Sequence, residues 1–255
     1  MIPGMRRLFA PVIACLLPIA AFADAPAGDA RGQQGGEGKA RQARHDGPRR
    51  VAGALDRVHD HDHVGALPEL QDRCGAPSVG YKVSGLDSFD ADVKLSDGDT
   101  VAGMGTIYTP GHAVDHVCFA LAGKSGDRIL FSADHVMSWS SSIVSPPGGD
   151  MKLYFDSLDL LLKRQDDVFL PGHGPLLRDP RKLVQELKDH RQMRENAIAE
   201  KLKEGPADTY TLMDSLYSQV NPRLRRAAER NVLAHLQKME IEGKVQRDGE
   251  LWRAA

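Results

Sequence analysis

Apolar side chains follow three textures along this chain. Residues 8–23 form an almost unbroken apolar run, Leu8-Phe-Ala-Pro-Val-Ile-Ala-Cys-Leu-Leu-Pro-Ile-Ala-Ala-Phe-Ala23, preceded by Arg6 and Arg7. Residues 25–57 are rich in Gly, Ala, Arg and Gln and nearly lack large aliphatics. With no strand alternation and no sustained helical stripe, that stretch is expected to have little order of its own. From about residue 62 the spacing becomes that of a folded domain. A short helix is expected over 64–73, with Leu67 and Leu70 on one side. Strands are expected at 91–95, 100–104, 105–108, 116–122 and 128–132, parted by the turn signals Ser96-Asp-Gly-Asp99 and Gly123-Lys-Ser-Gly126. Asp150 opens a helix whose apolar side carries Leu153, Phe155, Leu158, Leu160, Leu161 and Leu162. A brief strand, 167–170, leads into Pro171-Gly-His-Gly174. Asp179-Pro180 starts a long helix that ends at Gly205-Pro206, since proline suits the first helical position. Helices over 211–220 and 222–243 and a ribbon over 244–252, turned at Asp248-Gly249, complete the chain. Helix, helix and hairpin together predict a winged-helix-like unit.

A length of 255 residues suits one large domain, or one domain with a small appendage. The hydrophobic fraction of 41% and charged fraction of 27% are ordinary for a globular protein. A net charge of -2 gives no global electrostatic case for nucleic-acid binding. Cys15, Cys74 and Cys118 make an odd count at spacings that suit neither a disulfide framework nor a zinc ribbon. Cys74 and Cys118 are expected to be small buried side chains. The basic start, apolar run and Ala-Phe-Ala ending of residues 1–24 read as a secretory signal, which would place the protein outside the cytoplasm, in a periplasm or beyond. The run is too short and too broken by proline for a membrane span, so no membrane role is expected beyond that signal. Val12-Ile-Ala-Cys15 has the look of a lipoprotein acylation box, but apolar sequence continues past Cys15.

Four separated clusters carry His and Asp: His59-Asp-His-Asp-His63, Thr109-Pro-Gly-His112, Asp134-His135 and Pro171-Gly-His-Gly174. Imidazole and carboxylate are ligands of borderline divalent metals such as zinc. Clusters drawn from distant parts of one chain point to a site assembled by the fold. Two His one residue apart can face one ion, and an adjacent Asp-His pair a second. Gly111 permits a tight turn before His112, and Asp134 follows an apolar strand, a good place for a bridging carboxylate. Two ions about 3.5–4 Å apart can activate a bridging water near neutral pH and stabilise charge that develops on an oxyanion or phosphorane.

These motifs, with Gly75-Ala-Pro77, Thr109-Pro-Gly-His-Ala-Val-Asp-His116, Phe131-Ser-Ala-Asp-His-Val-Met137, Trp139-Ser-Ser-Ser-Ile-Val-Ser-Pro-Pro147, Leu170-Pro-Gly-His-Gly-Pro175, Asn221-Pro-Arg-Leu224 and Trp252, resemble the metallo-β-lactamase-fold hydrolases. Within them the chain is most similar to the LACTB-2-like branch with a C-terminal winged helix, over about three quarters of its length. The resemblance implies an α/β fold, the αββα sandwich, here with its N-terminal strands missing, plus a small winged helix. It implies His59, His61 and His112 on one zinc, Asp62, His63 and His173 on a second, and Asp134 bridging. Asp62 would orient a metal-bound hydroxide, and His116 would sit behind the metal ligands or near the substrate. Two Zn2+ per chain are expected if the first site is intact. The implied substrates are small-molecule esters or thioesters, or RNA phosphodiesters, and a homodimer is a further expectation. The family's first motif is His-x-His-x-Asp-His, whereas here no residue separates His61 from Asp62, which puts the first zinc site in question. The family's opening strands have no counterpart in 25–57, and so abrupt a change of texture suggests an altered reading frame or a replaced 5′ end. If so, the signal loses its weight and a cytoplasmic location follows.

The domain plan is therefore a signal-like segment, 1–24, a low-order segment, 25–57, a metallo-β-lactamase-like domain, 58–178, and a long helix with a winged-helix-like domain, 179–255. His135 is expected to be a packed neighbour of the site, and His235 to lie at a core edge. Arg223, Arg225, Arg226 and Arg230 read as a solvated face or, functionally, as a phosphate-contacting one. A second function is a catalytically impaired relative that acts as a binding module through its winged helix.

Overall fold

The computed structural model describes residues 65–83 and 90–255. The signal-like run, the 25–57 stretch and His59, His61, Asp62 and His63 lie outside the described residues. Helix α1 (Leu67–Cys74) carries proline in its first turn and ends at Gly75, whose left-handed φ of 62° lets its N–H reach the Gln71 carbonyl at 2.8 Å. A small parallel pair follows, β1 (Val79–Tyr81) with β2 (Val93–Leu95).

The main sheet has six strands in chain order: β3 (Thr100–Val101), β4 (Met104–Tyr108), β5 (Val117–Ala122), β6 (Arg128–Ala133), β7 (Val168–Pro171) and β8 (Leu177–Arg178). Every pairing is antiparallel except β6 with β7. The strand expected over 100–104 is divided, because Ala102 (φ 48°) and Gly103 (φ 82°) form a two-residue turn and Met104 begins β4.

The parallel β6–β7 step needs a crossover, and α2 (Met151–Lys163) supplies it. Asp150 caps this helix by accepting from the Leu153 N–H at 2.9 Å. Its buried face is Met151, Tyr154, Phe155, Leu158 and Leu161. Leu160, expected on that face, points outward, since it lies two positions from Leu158, about 200° around the helix.

Helix α3 (Pro180–Glu204) is shared between two cores. Val184 and Leu187 join Cys118, Leu130, Tyr154, Leu158 and Phe169 under the sheet, while Ile198 and Leu202 join the C-terminal core. That second core is built by β9 (Ala207–Asp208), α4 (Thr209–Leu216), a 3-10 turn at Pro222–Leu224, α5 (Arg225–Ile241), β10 (Val245–Asp248) and β11 (Leu251–Ala254). The three strands pair in the order β10-β11-β9, and Trp252 is buried among Leu212, Met213, Val232 and Leu236. Helix α4 starts earlier than expected because Asp208 caps it, accepting from the Thr211 N–H at 2.7 Å. Among the described residues no helix is long and apolar enough to cross a membrane.

Two side chains depart from expectation. Cys74 is exposed, its Sγ donating to the Leu70 carbonyl at 2.7 Å, whereas Cys118 is buried, and burial pushes its thiol up to about 12. His235 is not at a core edge but fully buried. Its Nδ1 lies 3.4 Å from Glu195 Oε1, and Lys238 Nζ lies 2.8 Å from the same oxygen, which ties α5 to α3. Burial holds His235 below its ordinary value, against the raising effect of its Glu195 hydrogen bond. Burial pushes Glu195 up, but hydrogen bonds from His235 and Lys238 outweigh it and leave the carboxyl low.

Both groups bind fewer protons folded than unfolded in acid, so stability is expected to fall with pH. The loss begins below 6.5 through His235 and continues below 4.5 through Glu195. Thermal unfolding followed from about pH 7 to about pH 5 should show the midpoint dropping, with a shallower slope for His235→Gln. Equal slopes for the two proteins would show that His235 does not contribute.

Candidate active site

Strands β4 and β6 each run antiparallel to β5, and β7 runs parallel to β6, so β4, β6 and β7 all point the same way. Their C-terminal ends open on one edge of the sheet. Each leads into a loop that carries one of the His/Asp clusters: 109–116, 134–150 and 172–176.

The first loop is closed by its own ends. The Thr109 N–H donates to the His116 carbonyl at 3.1 Å, and Thr109 Oγ1 lies 2.9 Å from His116 Nδ1. Tyr108, stacked on Tyr81 with ring centres 3.9 Å apart, donates its hydroxyl to the Val114 carbonyl at 2.7 Å. Gly111 has φ 141°, and a Cβ there would overlap the Tyr154 backbone. That close approach seats the loop on the start of α2, where the Asp150 N–H donates to the Gly111 carbonyl at 2.9 Å and Ser157 Oγ to the Pro110 carbonyl at 2.7 Å.

At the end of β6 the register slips between Phe131 and Ala133, and Ala133 takes φ 44°. A bulge of this kind turns the following side chain. Here that side chain is Asp134, which is buried. Its Oδ2 lies 3.8 Å from His112 Nε2 and 3.6 Å from His173 Nε2. These separations are too long for hydrogen bonds. Two ligand atoms held 2.0–2.1 Å from one zinc at a tetrahedral angle stand roughly 3.4 Å apart, close to what is seen. His112 Nδ1 lies 2.7 Å from the Ile143 carbonyl, which can only accept, so Nδ1 donates there and Nε2 is the ring atom left to face Asp134. Two imidazole nitrogens turned on one carboxylate are a donor set that suits a borderline divalent metal.

Among the described residues no group of three His, Cys, Asp or Glu side chains is arranged to hold an ion by itself. The structure thus brings together His112, Asp134 and His173. Asp62, His63, His59 and His61 lie outside the described residues. His116 borders the cluster, its ring centre 6.2 Å from that of His112. His135 is fully buried, with ring centres 5.4 Å from His116 and 4.5 Å from Tyr154. Burial, then the neighbouring His116 and His112, push it well below the usual histidine range, so it is neutral.

Trp139, on the loop after Asp134, is 70% exposed, and its plane lies within 9° of the His173 ring at 6.4 Å. Ile143 on the same loop and Leu176 beyond His173 are also exposed. The indole and these two aliphatics give the neighbourhood of the cluster an apolar surface.

Sequence reasoning passed over Ser142, buried within this loop, and Tyr154 and Arg191, buried against it. A signal for Arg191 existed. Val184, Leu187, Arg191, Glu195, Ile198 and Leu202 recur at three- and four-residue steps, so two charged residues occupy an otherwise apolar stripe.

Residues 59–173 match the family model of the metallo-beta-lactamase superfamily, and residues 210–252 match that of the beta-lactamase associated winged helix domain. The chain is 30% identical over 147 residues to a beta-lactamase-like protein 2 homolog of Drosophila melanogaster, covering 56% of this chain and 48% of that protein. It is 28% identical over 163 residues to an atrochrysone carboxyl ACP thioesterase of Aspergillus chevalieri, covering 60% of this chain and 48% of that one. The chain therefore spans about half the length of these curated relatives. Among solved structures, a metallo-beta-lactamase family protein from Thermus thermophilus superposes with a TM-score of 0.56 at 30% identity, over 65% of this chain and 55% of that one.

Because Gly111 has no space for a Cβ, Gly111→Ala is expected to lower the unfolding free energy by about 1–3 kcal/mol. Urea denaturation of the two proteins measures it; an unchanged midpoint would show that the loop yields without cost.

Proposed function

The chain belongs to the metallo-β-lactamase superfamily, in its branch with a C-terminal winged helix, and on that premise we propose that it is a zinc-dependent hydrolase of small-molecule esters or thioesters. The observation that carries this reading is the convergence of His112 Nε2 and His173 Nε2 on Asp134 Oδ2, with the His112 tautomer set by Ile143. His112 with His59 and His61 would hold one ion, and His173 with Asp62 and His63 a second, with Asp134 contributing its carboxylate. When bound, zinc supplies a Lewis acid that lowers the pKa of water and polarises a substrate oxygen. Asp62 would orient the attacking water, and His116 would stand next to the metal-holding residues or near the substrate. The apolar surface of Trp139 and Ile143 favours a substrate with an acyl or aromatic portion. The thioesterase name of the Aspergillus relative agrees with that class.

A second reading, hydrolysis of RNA phosphodiesters, draws on a groove of about 610 Å³ between the winged helix and Pro146, lined in part by Arg226, Arg230 and Arg247. Arginine recognises phosphate, and an exposed indole stacks on bases. Asp208, Glu229 and Glu250 line the same groove and dilute its positive charge, so the ester reading is preferred.

Zinc content of the purified full chain, with turnover of acyl thioesters and of single-stranded RNA, tests both. The expected result is bound zinc and thioester hydrolysis, with Asp134→Asn losing more than about 100-fold in kcat, since such a ligand supports several kcal/mol of transition-state stabilisation. RNA cleavage without thioesterase activity would favour the second reading. A folded chain with no zinc and no turnover would leave the winged helix as a binding module.

A further inference from the structure

We propose that Arg191, acting through Ser142, is a positioning residue for the metal-facing side chains, and that it makes the winged helix part of the active-site scaffold. The proposal rests on the metal-centre reading above. Arg191 lies on α3 and is 3% exposed. Its Nη2 donates to the Ser142 carbonyl, and its Nη1 donates to Asn231 Oδ1 on α5 at 3.2 Å. The guanidinium lies over the Tyr154 ring, 5.4 Å from its centre.

Ser142 is where this support reaches the site. Its hydroxyl donates to the Asp134 carbonyl and lies 2.9 Å from that of His135, which also accepts from the Tyr154 hydroxyl at 3.0 Å. The next residue, Ile143, presents the carbonyl that takes the His112 Nδ1–H at 2.7 Å. Two consecutive residues therefore hold both the backbone behind Asp134 and the ring of His112. Arg191 fastens the first of these at its carbonyl, and Arg230 of α5 fastens the same loop further on, donating to the Pro146 carbonyl at 2.7 Å.

The chemistry explains the choice of arginine. A planar guanidinium reaches two acceptors on different elements while its face rests on an aromatic ring; a lysine ammonium has no such fork. Burying the cation costs free energy that an apolar residue would avoid. Its position between the winged helix and the loop that orients His112 supplies a reason for bearing that cost. Partners of this kind that orient metal ligands alter metal affinity by about 10–100-fold when removed.

The test uses the full chain, metal-free and labelled with nitrogen-15 at histidine. The wild type is expected to show a downfield imidazole N–H resonance that disappears in His112→Gln. Arg191→Met, which keeps the apolar stem but removes the donors, and Ser142→Ala, which removes one hydroxyl, are expected to shift or lose that resonance. Both should keep the wild-type circular dichroism. Titration with Co2+ should then show affinity weakened by about 10–100-fold in both variants, with the cobalt absorption bands shifted. Arg191→Lys should fall between. If Arg191→Met does not fold, Arg191→Lys, which keeps the charge but loses the fork, decides for Arg191, and Ser142→Ala decides for Ser142. Variants that retain the His112 resonance and the wild-type cobalt affinity would overturn the proposal. A wild type that binds no Co2+ would overturn the metal reading instead. The metal-free resonance would still decide whether Arg191 holds His112.

Discussion

The parallel pairing of β6 with β7 is the constraint on which the site depends. It forces the chain over the sheet through α2 before β7 can enter, and it gives β7 the same direction as β4 and β6. The ends of three strands then open on one edge, where their loops can hold His112, Asp134 and His173 near one another. An antiparallel β7 would deliver His173 to the opposite edge, and no side-chain rearrangement could return it. The crossover helix serves the site as well, because its first turn receives the loop at Gly111 and its Tyr154 reaches the His135 carbonyl.

Local departures from ideal geometry lie where this edge must be shaped. Ala133 in a left-handed conformation and the register slip beside it turn Asp134 inward, and Gly111 lets the backbone approach α2. Beneath, the loop after Asp134 rests on buried polar groups rather than on apolar packing alone. Ser142, Tyr154 and Arg191 satisfy carbonyls that would otherwise be desolvated without partners, which is costly. Since Arg191 also bonds Asn231, and Lys238 and His235 bond Glu195, the C-terminal unit joins the main domain through buried polar contacts as well as apolar ones. Such contacts are directional, so they set the relation between the two units more narrowly than apolar burial would.

Much of the architecture was legible from spacing. The β5 and β6 strands, the Asp150 cap of α2, the Asp179-Pro180 start of α3 and the final hairpin fall close to where alternation, capping and turn residues put them. The errors have local causes. Alternation continued through 100–104 because Ala102 is not a usual turn residue, yet it adopts a positive φ beside Gly103. The α2 stripe was drawn through Leu160 because leucines crowd that segment, whereas burial follows the 151, 154, 158, 161 positions. Cys74 and His235 were placed by residue type; the exposure of Cys74 and the Glu195 partner of His235 depend on tertiary packing that the neighbours in sequence do not record.

The identity and order of the candidate ligands are properties of the sequence alone: Gly111-His112, Asp134-His135 and Gly172-His-Gly174 mark the chemistry because few other residue types supply those donors. The sequence also carried the lineage, through motifs that are specific as a set. Only the tertiary structure decided that His112 and His173 face the same oxygen of Asp134, that Ile143 sets the His112 tautomer, and that Arg191 lies beneath the loop. These facts depend on strand direction, on a one-residue register slip and on contacts between positions as far apart as 142 and 191. Spacing along the chain records periodicity within an element, but it holds no record of which distant carbonyl a buried donor will meet.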